Sequence, residues 1–289
     1  MRLAALMREA AWRLERSLSE AGSEIRGEFR EFGTRIRQTV DVLENADIRG
    51  GRFLDTIPLV GSASNGEVVR FRPSDVLSIP LRDRQGRVIG VAFPSQRGDI
   101  RADQAWASVP VRESDVAYRR VTLDARGAPE WAHRALPPPW FDRGDMQRNP
   151  VYAHAHAGPD TFEVKVRTGL FCWRTVGVDG ATYGYLMAAD RNFKRAVKQN
   201  PTGQLVMLSC SPGAGSAGRT AAEFVHAAGI DFDVHAANRT VARGYTENLR
   251  SALGVEVDTR DGGGTDVGDW STYPAQRRGR PSSNDNEAP

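Results

Sequence analysis

The sequence predicts an α/β domain built on a mainly parallel sheet flanked by helices and preceded by a long amphipathic N-terminal helix. Three observations predict it. A short apolar run, Leu205–Leu208, is followed by the breakers Ser211, Pro212, Gly213 and Gly215 and then by a helical pattern over residues 217–228. That order reads as a buried strand, a turn and a helix. A second strand-like stretch over residues 150–160 carries His156, which precedes Cys210 by 54 residues, enough for one crossover unit between neighbouring parallel strands. Eleven apolar positions from Met7 to Leu43 recur at a mean spacing of 3.6 residues, the period of a straight α-helix.

Taken in order, residues 1–50 form the amphipathic segment. Its opposite face is Arg- and Glu-rich, and Gly22, Gly27 and Gly33 weaken the helix and are points at which it can break into two. Such a stripe cannot stay exposed, so the segment is expected to dock on the chain, on a partner protein or on a copy of itself. A membrane-surface helix is the weaker reading, because the polar face is mixed in sign. A linker follows over 51–66, with the Gly/Ser/Asn run Gly61–Gly66. The α/β domain spans 67–260. Residues 76–81 and 87–93 flank a turn at 82–86 and predict a hairpin. Residues 116–123 predict a strand, and 129–140, with Pro137–Pro139, an extended loop. Strands at 162–166 and 172–178 meet through Gly169. Residues 182–197 predict one or two helices, and strands follow at 230–236, 240–242 and 255–257. From 261 to 289 the chain is poor in apolar residues and is expected to be disordered.

Composition narrows the function. Forty per cent apolar and 26% charged residues are ordinary for a globular protein, and a net charge of +3 over 289 residues is small. Basic residues are interleaved with acids except at Arg277–Arg280, which argues against nucleic acid as the main partner. Cys172 and Cys210 make no disulfide framework. No apolar stretch reaches the length of a membrane span. Arg2, Arg8, Glu9 and Arg13 interrupt the N-terminal apolar pattern, so no cleaved signal peptide is expected. The expected location is the cytoplasm, or outside the cell by a route that leaves no cleaved signal.

The chemistry concentrates at two predicted strand ends. Cys210 ends one strand just before a helix, where open α/β sheets place ligands and a helix dipole favours a thiolate. His154 and His156 end the other and, two residues apart, face the same side. A thiol and an imidazole on neighbouring strand ends are the minimum for nucleophilic catalysis by cysteine. The bland alternative is an inert buried thiol, and Cys172, between Phe171 and Trp173, reads as core. A metal held by His154, His156 and Asp160 is a weaker reading: His-x-His opens amidohydrolase barrels, but the 133 residues after His156 are too few for one. His235 ends a further predicted strand and is expected to line the same edge. The turn after Cys210 lacks the Lys-Ser/Thr of a phosphate loop, and no cofactor is expected.

These segments carry a resemblance. Tyr152–Asp160, Val178–Ala181 and Leu205–Cys210, with Gly86–Phe93 and the Pro-rich loop, resemble the caspase-like clan of cysteine peptidases, and more narrowly the caspase-like domains of actinobacterial polymorphic-toxin proteins. The resemblance covers roughly residues 67–245. It implies Cys210 as nucleophile and His156 as acid/base. The family has Gly after its His; here Ala157 follows and the glycine comes at Gly158, so the backbone N–H groups of Ala157 and Gly158 are the implied oxyanion donors. The resemblance supplies no residue for a specificity pocket; from their places at the strand ends and the turn, His154, Asp160, Ser211 and His235 are the candidate pocket residues. The expected function is a cysteine endopeptidase or toxin-associated autoprocessing domain acting on a peptide or protein. The alternative is a non-catalytic caspase-like scaffold that assembles through its N-terminal helix.

Overall fold

The computed structural model describes residues 58–123, 129–141, 150–170, 172–200, 203–245, 251–256 and 269–275. The helix expected over residues 1–50 lies outside them.

Connection length sets strand direction, because a tight turn returns the chain antiparallel whereas parallel neighbours need a crossover. Both cases occur. A central sheet has the order β15–β12–β11–β7–β4–β3. Its inner strands β4 (Val88–Ala92), β7 (Val151–His154), β11 (Leu205–Met207) and β12 (Val234–Ala237) run parallel. Its edge strands β3 (Ile79–Arg82) and β15 (Trp270–Tyr273) are antiparallel to their neighbours. A second sheet is wholly antiparallel, in the order β2–β1–β10–β9–β8. It comprises β1 (Leu59–Ala63), β2 (Val68–Phe71), β8 (His156–Ala157), β9 (Phe162–Arg167) and β10 (Trp173–Val178). A third, β13–β14–β5–β6, comprises β5 (Tyr118–Leu123), β6 (Pro129–Leu136), β13 (Val241–Tyr245) and β14 (Ser251–Glu256), with only β14–β5 parallel.

The expected mainly parallel sheet flanked by helices is therefore overturned. Among the described residues eight of the twelve strand pairs are antiparallel, and they fall in three sheets. The cause is the hairpins: β1–β2, β9–β10, β5–β6 and β13–β14 close locally and build sheets of their own. Three smaller corrections share a physical reason. β1 lies in the expected linker, β6 in the expected Pro-rich loop and β15 in the expected disordered tail. Each is a strand whose stability comes from its ladder partner, which no local pattern records.

The helices are α1 (Asp99–Ala107), α2 (Gly180–Ala189), α3 (Arg191–Gln199) and α4 (Ala217–Ala227). Alternation along the central strands sorts the core into two layers. Val151, Ala153, Leu205 and Met207 join α2, α3, α4 and the second sheet in one buried cluster. Tyr152, Val206 and Leu208 point the other way, where Trp106 of α1 and Leu253 and Val255 of the third sheet complete another. Gly90 of β4 permits the closest strand approach: a Cβ there would lie 2.0 Å from the carbonyl oxygen of Tyr152. No helix among the described residues is long and apolar enough to cross a membrane.

Candidate active site at the ends of β7 and β11

Strand β7 ends at His154, whose carbonyl accepts from Phe93 N–H at 2.8 Å. The chain then leaves the central sheet at buried Ala155, and His156–Ala157 become β8, which pairs with Glu163 and Phe162 of the second sheet. Both imidazoles keep the strand alternation and lie edge to face, with ring centroids 5.5 Å apart.

Helix α1 faces them with two carboxylates. Asp103 Oδ2 lies 3.0 Å from His154 Nδ1, and both oxygens of Asp99 lie 3.2 Å from His156 Nε2. The match is geometric. Residues two apart on a strand advance roughly 6.6 Å, and residues four apart on a helix roughly 6 Å, so a helix laid along a strand can pair both positions at once. Asp103 is fully buried and also binds Arg243 Nη1 of β13. Asp99 is fixed by the N–H groups of Ser95 and Gln96, at 3.1 and 2.8 Å.

Electrostatics separate the roles. Burial acts to raise the Asp99 carboxyl, but the Gln96 hydrogen bond and His156 outweigh it, leaving Asp99 below its ordinary value and ionised. Burial pushes His154 down to about 4, so at neutral pH it is a neutral imidazole donating Nδ1–H to Asp103. Burial also lowers Arg243, to about 10, which leaves it charged.

Cys210 follows β11. The pairs Leu205–Val151, Val206–Tyr152 and Met207–Ala153 fix the register of β11 on β7, and Leu208 N–H continues it onto Ala153 C=O at 2.8 Å. One more step sets His154 level with Leu208. Cys210 lies two residues beyond Leu208, as His156 lies two beyond His154. The thiol is partly buried and donates to Val241 C=O at 3.8 Å, and burial raises it above its ordinary value. Among the described residues no hydrogen bond joins it to either imidazole. Ser211 has φ +60°, the only non-glycine residue with positive φ among those described, and it starts the tight turn Pro212–Ala214. Strained backbone beside a candidate nucleophile is where functional turns concentrate.

That turn is tied directly to the loop after His156. Ala217 N–H donates to Pro159 C=O at 3.0 Å, and Asp160 Oδ1 accepts from Ser216 N and Oγ at 3.0 and 2.9 Å. The approach is close enough that a Cβ on Gly215 would lie 2.4 Å from Pro159 O. The structure thus brings the Cys210 turn and the His156 loop together and adds Asp99 and Asp103, which sequence reasoning missed.

Other expected residues fall elsewhere. Asp160 braces the Ser216 turn and is not brought to the imidazoles, and among the described residues no group of three or more His, Cys, Asp or Glu could hold a metal ion. Gly158 N–H is spent on Thr161 C=O at 2.9 Å, so it is not poised for an oxyanion. Ala157 lies in a strand, where its Cβ is tolerated. His235 pairs in register with Val206, four residues before Cys210, and both its ring nitrogens are engaged, by Thr272 Oγ1 at 3.0 Å and Gln204 Oε1 at 2.8 Å. Asp179 caps α2 through Thr182 N–H at 2.7 Å. Cys172, expected in the core, is exposed on the β9–β10 connection, because the hairpin turns it outward.

Two depressed imidazoles give a pH signature. His154 and His235 are each held down to about 4, against an ordinary value near 6.5, by burial. Between those values the unfolded chain binds more protons than the folded one, so stability is lost as pH falls through that window and is flat above it. Each contributes up to about 3 kcal/mol. Urea midpoints measured between neutral pH and pH ~4 should fall steeply, and His235→Gln should flatten the slope by about half. A midpoint independent of pH over that range would show that neither imidazole is buried neutral.

No family model, curated protein or solved structure matches this chain.

Proposed function

We propose that the protein is a cysteine endopeptidase or autoprocessing domain, of the kind the caspase-like clan represents, in which Cys210 and His156 act as a thiol–imidazole dyad. The observation that carries the reading is the placement of Cys210 and the His154–His156 pair at the carboxyl ends of adjacent parallel strands, with their following loops hydrogen-bonded to each other. In this reading His156 takes the Cys210 proton, and the thiolate adds to a peptide carbonyl carbon as the C–S bond forms. The C–N bond then breaks while the proton on His156 passes to the leaving amine. Water, deprotonated by His156, cleaves the thioester and restores the thiol. Gly158 N–H would have to leave Thr161 to serve as an oxyanion donor, so the donors are sought at Ala157 and in the turn after Cys210.

A second reading, a non-catalytic scaffold, is favoured by one observation: the thiol is partly buried, raised and hydrogen-bonded to Val241 C=O. Alkylation distinguishes the two. Because Cys172 is exposed, the measurement is made in a Cys172→Ser background, with Cys210→Ala as the blank. A dyad requires that His156→Ala slow Cys210 labelling at neutral pH by roughly tenfold or more, since a positioned base contributes on that scale or above. Equal rates with and without His156 would remove the peptidase reading and leave the scaffold.

A further inference from the structure

We infer that Asp99 is the positioning residue of this site: its carboxylate holds His156 by Nε2 and so leaves Nδ1 as the nitrogen that exchanges a proton with the thiol. The inference rests on the dyad reading for its last clause only. Three observations carry it. Both Asp99 oxygens lie 3.2 Å from Nε2, a forked contact that fixes the direction of the N–H bond as well as the distance. The carboxylate cannot follow the ring, because Ser95 N–H and Gln96 N–H anchor it at 3.1 and 2.8 Å. Nδ1 of His156 has no hydrogen-bond partner among the described residues, whereas His154 is engaged the opposite way round, through Nδ1 on Asp103.

The surroundings of His156 single out Asp99 among the charged groups. From β9 the paired residue is Glu163, whose Oε2 accepts from Ser95 Oγ at 3.2 Å. From β7 comes His154, neutral at physiological pH. The remaining carboxylate on α1, Asp103, is shared between His154 and Arg243. Asp99 is thus the one carboxylate on His156 among the described residues. When His156 takes the thiol proton on Nδ1, the new charge on the ring is met at Nε2 by an anion already in place, with no rearrangement needed at that moment. The two imidazoles divide the work: Asp103 and Arg243 lock His154 as a neutral wall, and Asp99 holds His156 ready to become a cation.

The test separates this role from that of a turn brace. Asp99→Asn keeps an oxygen to accept from Ser95 and Gln96 but loses the charge, whereas Asp99→Glu keeps the charge on a longer arm. In the full-length chain at mildly alkaline pH, the wild-type His156 Nε2–H should give a downfield, slowly exchanging proton resonance. Asp99→Asn should abolish it and slow Cys210 alkylation about ten- to a hundredfold, the scale of a lost charge-assisted hydrogen bond. Asp99→Glu should recover most of the rate. A wild type without that resonance, or an Asp99→Asn protein that keeps both resonance and rate, would overturn the inference. The resonance needs no thiol chemistry. If it behaves as expected while His156→Ala leaves alkylation untouched, Asp99 still holds the ring and it is the dyad reading that falls.

Discussion

Asp103→Ala should lower the stability of the protein by about 3–5 kcal/mol, the cost of breaking a buried ion pair by removing one partner. Asp103 is fully buried and serves two groups at once, His154 Nδ1 at 3.0 Å and the guanidinium of Arg243. Truncation leaves that guanidinium, whose side chain is only 17% exposed, without its hydrogen-bonded carboxylate, with Asp99 a more distant counter-charge, and leaves His154 N–H without an acceptor. Alanine cannot replace either contact, and a cavity the size of the carboxylate remains beneath α1. Asp103→Asn, which can still accept from His154 but not neutralise Arg243, should fall between wild type and alanine. Denaturant unfolding reads the effect as a lower midpoint at unchanged slope. A loss below about 1 kcal/mol, the scale of an exposed pair, would show that water reaches Arg243 and that the cluster is not closed.

Gly90→Ala should be comparably damaging for a steric reason. The added Cβ would sit 2.0 Å from Tyr152 O, 2.8 Å from Tyr152 C and 2.9 Å from Tyr152 N. All three are backbone atoms of the neighbouring central strand, so no side-chain rotation relieves the contact and β4 must part from β7. Overpacking typically costs about 1–3 kcal/mol and occasionally more, and a contact with rigid backbone places this substitution at the upper end. Because Gly90 is paired with Tyr152, two residues before His154, the displacement should also be felt at the His154–Asp103 contact. A thermal midpoint within a few degrees of wild type would mean that the strands separate without penalty.

Parts of this architecture are written locally and parts are not. The β3–β4 and β9–β10 hairpins, the α2–α3 pair and the sequence strand β11, turn, α4 follow patterns a short window contains: apolar runs, turn residues, Asp caps and helical spacing. The division into three sheets does not, because it depends on which distant strand each hairpin meets. Helix α1 was missed for a sharper reason. Its buried face carries Asp99 and Asp103 beside Trp106 and Ala107, so the helical period is present in the sequence but is half polar, and a search for apolar periodicity passes over it. The spacing Asp99–Asp103 is itself the readable clue: two acids one turn apart match two histidines two apart on a strand. The strand ends that carry Cys210 and His156 are legible as apolar runs, whereas the carboxylates that meet His154 and His156 lie on a half-polar helix face that apolar periodicity does not mark.

The single residue Ala155, where the chain passes from one sheet to another, has a consequence of its own. His154 belongs to the central sheet and His156 to the second, yet only one peptide unit on each side of Ala155 separates them. The two layers are thus riveted to each other at the very point where the imidazoles stand. Any shear of one layer over the other must be absorbed within that short span, as a change in the tilt or spacing of the two rings relative to the rigid helix that holds both. The spacing and tilt of the two rings are thus tied to the relative alignment of the central and second sheets.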